Sequence, residues 1–193
     1  MNLTILLILL SVIFTVVGVI PYLIEVVKGK TKPRVVSWLT WSVLTAISCA
    51  AAYVEGQYPT AILLFVASLE TLTVVILGWQ LGDKKIVRLD IVCLLGALVG
   101  IILWQVFNTP AIAVIATIAI DLVGGIPTLV HSYKRPHEET WIIFFLAFLG
   151  AGCTLLVISD WRITAFAYPL YLVIINVLFT GVIISRGRHI SRV

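Results

Sequence analysis

Seven long apolar runs separated by short polar loops constrain the fold of this chain more than any other feature. Their approximate bounds are 3–27, 35–54, 58–81, 86–107, 110–132, 139–158 and 161–185. Each run has about the 20 residues that a helix needs to cross the hydrocarbon core of a bilayer. Inside lipid a backbone must satisfy its own hydrogen bonds, so helices are the favoured structure. We therefore predict an all-α integral membrane protein with seven transmembrane helices.

The composition agrees with a polytopic membrane protein. Hydrophobic residues make up 61% of the 193 positions and charged residues only 11%, whereas soluble domains have about 25% charged residues. The lysines and arginines lie in short clusters between apolar runs, so we expect a lipid bilayer and no nucleic acid as partner. The first run lacks a basic leading segment and a small-residue cleavage site, and we expect it to be retained as a helix.

The loop charges predict the orientation in the membrane. Basic residues follow the first, third, fifth and seventh runs, and only Arg162 lies in a loop on the opposite side. Because cytoplasmic loops carry the excess of Lys and Arg, the N-terminus is expected outside and the C-terminus in the cytoplasm, in the bacterial plasma membrane. The residues on the basic side are Lys28, Lys30, Lys32, Arg34, Lys84, Lys85, Arg88, Lys134, Arg135, Arg186, Arg188 and Arg192.

An internal repeat joins the two halves of the chain. The segment GVIPYLIEVVKGKTKPRVVSW recurs in degenerate form as GGIPTLVHSYKRPHEETW. The alignment pairs Pro21 with Pro127 and, after a shorter loop, Thr73 with Asn176. Matches that recur in order at element boundaries indicate a duplicated three-helix unit.

The repeat predicts a 3+1+3 arrangement. Two three-helix units joined directly would have opposite orientations, whereas a linker helix makes them parallel. We assign residues 1–82 to the first repeat, 83–108 to the linker helix, and 109–193 to the second repeat with a short cytoplasmic tail. Parallel repeats of this kind are a transporter arrangement, with the binding site between repeats near the midplane.

This plan, with a proline near the end of each unit's first helix and a basic loop after it, resembles the SWEET and SemiSWEET transporters of the PQ-loop (MtN3) superfamily. The segment PYLIEVVKGKTKPRVVSW is similar in pattern to the superfamily's Pro-Gln…Lys…Lys-Ser signature. The Gln is replaced by Tyr22 and Thr128, and the second helix of each unit lacks the family's proline, so the chain resembles a divergent member. The resemblance implies alternating access with Pro21 and Pro127 as hinges. It does not imply a particular ligand, because nicotinamide-riboside uptake proteins and KDEL receptors share the general plan.

Two acids near the middle of apolar runs are the sharpest candidates for a site. Glu70 and Asp121 would each cost about 2.5–3.5 kcal/mol at the centre of a membrane helix, so such residues usually face the bundle interior or water. One interpretation is a ligand-binding or proton-carrying carboxylate. The alternative is an acid that is hydrogen-bonded to Ser, Thr or Tyr neighbours and holds helices together.

Four further residues complete the predicted substrate site. Asn176 resembles the central asparagine that SWEET-type transporters place in their sugar site, and its repeat partner is Thr73. Tyr171 lies about one turn from Asn176, where it either stacks on a ligand or packs. Trp41 lies one turn deeper than Trp38, so Trp41 is a cavity candidate, whereas Trp38 is expected in the interfacial belt.

The predicted function is a transporter or facilitator of a small polar solute, sugar-like or vitamin-like, that works between the two repeats. The alternative is a membrane receptor or partner-binding protein of the same fold without transport activity. The sequence has no nucleophile–base arrangement, phosphate loop or metal-ligand spacing, so we expect no enzyme, cofactor or metal. A single chain could build one pathway, and a homo-oligomer remains open.

Overall fold

The structure is a computed structural model that describes residues 2–31, 33, 35–82, 86 and 88–190. In this part of the chain it contains seven α-helices and one short 3₁₀-helix, Pro136–Glu138. The α-helices, numbered α1 to α7, are Leu3–Val27, Val35–Val54, Tyr58–Leu81, Arg88–Phe107, Pro110–Lys134, Trp141–Val157 and Ile163–Ile190. They coincide with the seven predicted runs to within a few residues at most ends, so the predicted all-α architecture is confirmed.

Several of these helices are suited to a membrane. Among the described residues, five helices are long and apolar enough to cross one by length and composition, namely α1, α2, α3, α5 and α7. Helix α6 is apolar but has only 17 residues. At about 1.5 Å per residue it covers roughly 26 Å, close to the thickness of the hydrocarbon core.

The outer surface of the bundle is apolar. Ile13, Ile76 and Ile174 are each at least 50% exposed although they lie within long helices. Exposed apolar side chains along long helices are typical of surfaces that face lipid. The outer surface is therefore compatible with an integral membrane protein.

The contacts of helices α1–α3, here called the first group, are reciprocal to those of α5–α7, the second group. Helix α3 contacts both α1 and α2, and α7 contacts both α5 and α6. Within the described ranges no contact joins α1 to α2 or α5 to α6, so the third helix of each group lies between the other two. Across the groups α1 packs on α6 and α2 packs on α5, while α4 packs on α5 and α2.

Glycines allow α1 and α6 to approach closely. A Cβ atom added at Gly150 would lie 3.0 Å from the Ser11 carbonyl oxygen and 3.0 Å from Thr15 Oγ1. A Cβ atom added at Gly18 would lie 3.1 Å from the Cβ of Leu146. Small residues at such interfaces are a common solution for helices packed in lipid.

Buried hydroxyl pairs join the two groups on the side of the bundle where α1 begins, which we call the N-side. Ser11 of α1 and Thr154 of α6 have hydroxyl oxygens 2.9 Å apart, and Ser48 of α2 and Thr117 of α5 have hydroxyl oxygens 2.6 Å apart. Ser11 and Thr117 are 106 positions apart, the same offset that separates Pro21 from Pro127. One pair therefore joins α1 to α6 and the other joins α2 to α5, at nearly the same depth in the bundle.

Candidate functional site

A cavity of about 120 Å³ lies among the helices, and side chains from α1, α2, α3, α5, α6 and α7 line it. One water molecule needs only about 10–15 Å³ of such space, so the cavity has room for a small solute. Thr15 and Asp121 line it near the middle of their 25-residue helices, which places the cavity at mid-depth in the bundle. Its wall includes Thr15, Trp41, Glu70, Asp121, Phe144 and Asn176, one residue from each helix.

Asp121 is surrounded by aromatic hydrogen-bond donors. The Tyr168 hydroxyl donates to Asp121 Oδ2 at 2.9 Å, and Trp41 and Tyr171 also lie close to this carboxyl. Asp121 is 9% exposed, and buried polar groups are usually hydrogen-bonded in this way. The carboxyl joins α5 to α7, so its position supports the alternative in which an acid holds helices together.

Glu70 differs from Asp121 because it lacks such partners. Its carboxyl lines the cavity from α3 and is partly buried. Neither a hydrogen bond nor an ion pair connects it to any residue that the structure describes. Of the two predicted acids, Glu70 is therefore the one whose oxygens are available to a ligand.

The structure brings the other predicted residues of the site together, with one exception. Asn176 is 7% exposed and lines the cavity, and its Nδ2 donates to the Leu172 carbonyl at 2.8 Å. The amide oxygen and the second amide hydrogen of Asn176 remain for a ligand. Tyr171 and Trp41 line the same cavity.

Thr73 is the exception, because it lies outside the cavity wall. Its side chain is exposed, and its hydroxyl donates to the Leu69 carbonyl of its own helix at 2.8 Å. Two residues along an α-helix are separated by about 200° of rotation. Thr73 therefore points away from Thr71, which lines the cavity, and it is exposed on the outer side of α3. Its alignment with Asn176 in the repeat does not extend to an equivalent position at the cavity.

Aromatic side chains that sequence reasoning did not select form much of the wall. Phe144 and Phe179 stack with ring centroids 4.7 Å apart, and Tyr168 contacts Tyr171 at 5.8 Å. Trp38 is 7% exposed and packs edge-to-face on Trp41 with centroids 5.1 Å apart. The expectation of an interfacial Trp38 is therefore wrong. Aromatic residues in apolar runs give no sequence signal that separates a cavity wall from a lipid contact.

The predicted hinge prolines lie within α1 and α5. Pro21 is inside α1 and partly buried. Pro127 is within the bounds of α5, but its side chain lies outside the described part of the structure. One turn beyond Pro21, the Glu25 carboxylate accepts hydrogen bonds from Thr31 and from Thr140, the residue that precedes α6. This contact joins α1 to α6 on the side opposite the hydroxyl pairs.

The cavity is thus built from carboxyls, one amide and aromatic rings. Among the described residues, no group of three or more His, Cys, Asp or Glu side chains is placed to hold a metal ion. The chemistry available is recognition of a small solute by polar contacts and ring faces. No protein-family model, no curated protein and no solved structure matches this chain.

Proposed function

We propose that this protein is a membrane transporter or facilitator that binds a small solute in the central cavity and releases it to the other side by alternating access. The observation that carries the proposal is the mid-depth cavity to which six helices contribute, with the unpartnered Glu70 carboxyl and the Asn176 amide in its wall. A static structural protein gains nothing from an unpaired acid in an apolar interior, since such a group is costly.

We also propose that residues 1–82 and 109–193 are parallel three-helix repeats joined by a linker helix, with the N-terminus outside and the C-terminus in the cytoplasm. The reciprocal packing of α1 on α6 and α2 on α5 supports this arrangement, because exchanging the two units converts one contact into the other. The offset of 106 residues that separates Ser11 from Thr117 as well as Pro21 from Pro127 supports it further. On the same grounds we propose a distant, SWEET-like relationship.

In this mechanism the two units rock against each other. The hydroxyl pairs join the units on the N-side, and the contact between Glu25 and Thr140 joins them on the other side. Opening either side requires its contacts to separate. Pro21 and Pro127 each remove one backbone hydrogen bond from a helix, which eases bending there.

Counterflow into proteoliposomes tests the proposal. The purified chain is reconstituted and assayed with labelled sugars, nucleosides, vitamins, amino acids and amines, and we expect saturable uptake of at least one class. Glu70→Gln and Asn176→Ala should reduce this uptake. Thr73→Ala is the matched control, because Thr73 lies on the same helix as Glu70 but faces away from the cavity.

Two outcomes would contradict the proposal. One is the absence of saturable uptake for every class from a protein that is folded and correctly inserted. The other is a pair of site variants that transport as well as the Thr73→Ala control. A stable protein partner recovered together with the first outcome would favour the receptor alternative.

A further inference from the structure

Four hydroxyl donors in the cavity wall, those of Thr15, Thr45, Thr71 and Tyr168, are used within the protein. The hydroxyls of Thr15, Thr45 and Thr71 donate to backbone carbonyls one turn earlier in their own helices, at 2.8–2.9 Å. Their hydrogens are therefore unavailable to a solute, while their oxygen lone pairs remain acceptors.

The Tyr168 hydroxyl is used in the same way, because it donates to Asp121 Oδ2 at 2.9 Å. Tyr171 and Trp41 also lie close to this carboxyl, and the Trp38 ring lies against the Tyr22 ring with centroids 5.0 Å apart. The donors of these three aromatic residues therefore have groups of the protein nearby.

The groups of the cavity wall that are left to contact a solute are suited to a positive charge. The wall contains no Lys, Arg or His among the described residues, whereas Glu70 contributes an unpartnered carboxyl. Phe144 and Phe179 add the stacked ring pair, and Trp38 and Trp41 add the edge-to-face pair. The faces of aromatic rings attract cations, most strongly where water is excluded.

We infer that the solute is a small organic cation, an ammonium compound that places its charge near Glu70 and its carbon groups against the ring faces. This inference rests on the proposed transport function and narrows its solute class. A sugar would bring no charge to the Glu70 carboxyl, and it would find the four hydroxyl donors already used. An anion would meet a carboxyl and no compensating charge.

Binding to the purified full-length protein tests the inference with pairs of ligands that differ in charge. Calorimetry compares choline with its uncharged carbon analogue dimethylbutanol, and phenethylammonium with phenethyl alcohol. We expect at least one cation to bind about 10-fold more tightly than its neutral partner, since desolvated cation–ring contacts and a buried charge pair each favour the charged form. This comparison uses the unmodified protein, so it does not depend on whether a variant folds.

Variants then locate the contacts. Glu70→Gln should weaken cation binding about 10-fold or more while the affinity for the neutral analogue stays the same. Phe144→Leu should weaken cation binding by about 2- to 30-fold, the range expected for one ring face. Thr73→Ala should bind like the original protein. Equal affinities within both ligand pairs, no binding of either cation, or an unchanged Glu70→Gln would overturn the inference.

The same ligands separate this inference from the transport proposal. Cation binding that depends on Glu70, without counterflow, would support the inference and contradict transport. Saturable counterflow of a neutral sugar, without cation binding, would support transport and contradict the inference.

Discussion

Filling the cavity from Gly125 is the most direct test that the cavity is the binding site. Gly125 is buried in α5 and lines the cavity, and a Cβ atom added to it would meet no atom within 4 Å. A side chain at this position therefore extends into empty space. Gly125→Ala adds one methyl group, and Gly125→Leu adds four carbon groups.

The volumes decide the expected result. On the scale where one water molecule needs about 10–15 Å³, the four carbon groups of a leucine side chain occupy roughly 40–60 Å³. That is about a third to a half of the cavity volume of about 120 Å³. A solute that must share the cavity with leucine meets overpacking of about 1–3 kcal/mol, equivalent to roughly a 5- to 150-fold loss of affinity. Replacing glycine within a helix removes an unfavourable propensity of about 1 kcal/mol, so folding should not suffer.

We therefore expect Gly125→Leu to keep its thermal stability and lose most counterflow, with Gly125→Ala intermediate. Gly181→Leu is the matched control, because Gly181 is exposed on α7 and its added Cβ also meets no atom within 4 Å. It should behave like the original protein in both assays. Wild-type transport by Gly125→Leu would refute the cavity as the site. Equal inactivity of Gly125→Ala would show that the glycine serves backbone flexibility rather than volume.

Two further predictions concern stability. Gly150→Val should lower the free energy of unfolding by about 1–3 kcal/mol, because its Cβ meets the Ser11 carbonyl at 3.0 Å. Gly152→Val is the control on the same helix and should not lower the free energy of unfolding, because a Cβ atom added at Gly152 meets no atom within 4 Å. Equal midpoints of thermal unfolding in detergent for the two variants would contradict the predicted clash. Asp121→Ala should cost about 1–3 kcal/mol because it leaves buried donors unpaired, whereas Glu70→Ala should leave stability unchanged and reduce binding. Loss of stability in Glu70→Ala would mean that this acid also holds the bundle together.

The helices could be predicted closely because lipid leaves the backbone few choices. The predicted runs 3–27 and 58–81 have the bounds of α1 and α3. The run at 139–158 was too long, since the observed helix is Trp141–Val157 and a 3₁₀ turn precedes it. Hydropathy reports which residues tolerate lipid, but it does not locate the turn at which a helix begins.

Residues of the candidate site could be predicted where a polar side chain is costly to place in lipid. Glu70 and Asp121 were selected because acids are costly in lipid, and Asn176 because it resembles the central asparagine of SWEET-type transporters. All three line the cavity. Thr73 was misassigned because its hydroxyl bonds to the Leu69 carbonyl of its own helix and can therefore face lipid at little cost. Phe144 could not have been selected at all, since a ring is equally stable against lipid or against a cavity.

The rule that allows Thr73 to face lipid also shapes the chemistry of the cavity. Thr15, Thr45 and Thr71 satisfy their hydroxyls on their own helices in the same way, and this removes donors from the wall. Glu70 cannot do so as a carboxylate, because an ionised carboxyl only accepts hydrogen bonds and the carbonyls of its helix also only accept. A cavity built between such helices therefore retains the acceptors of its threonines and loses their donors. The preference for positively charged solutes that we infer would follow from this helix geometry, together with one acid that has no partner among the described residues.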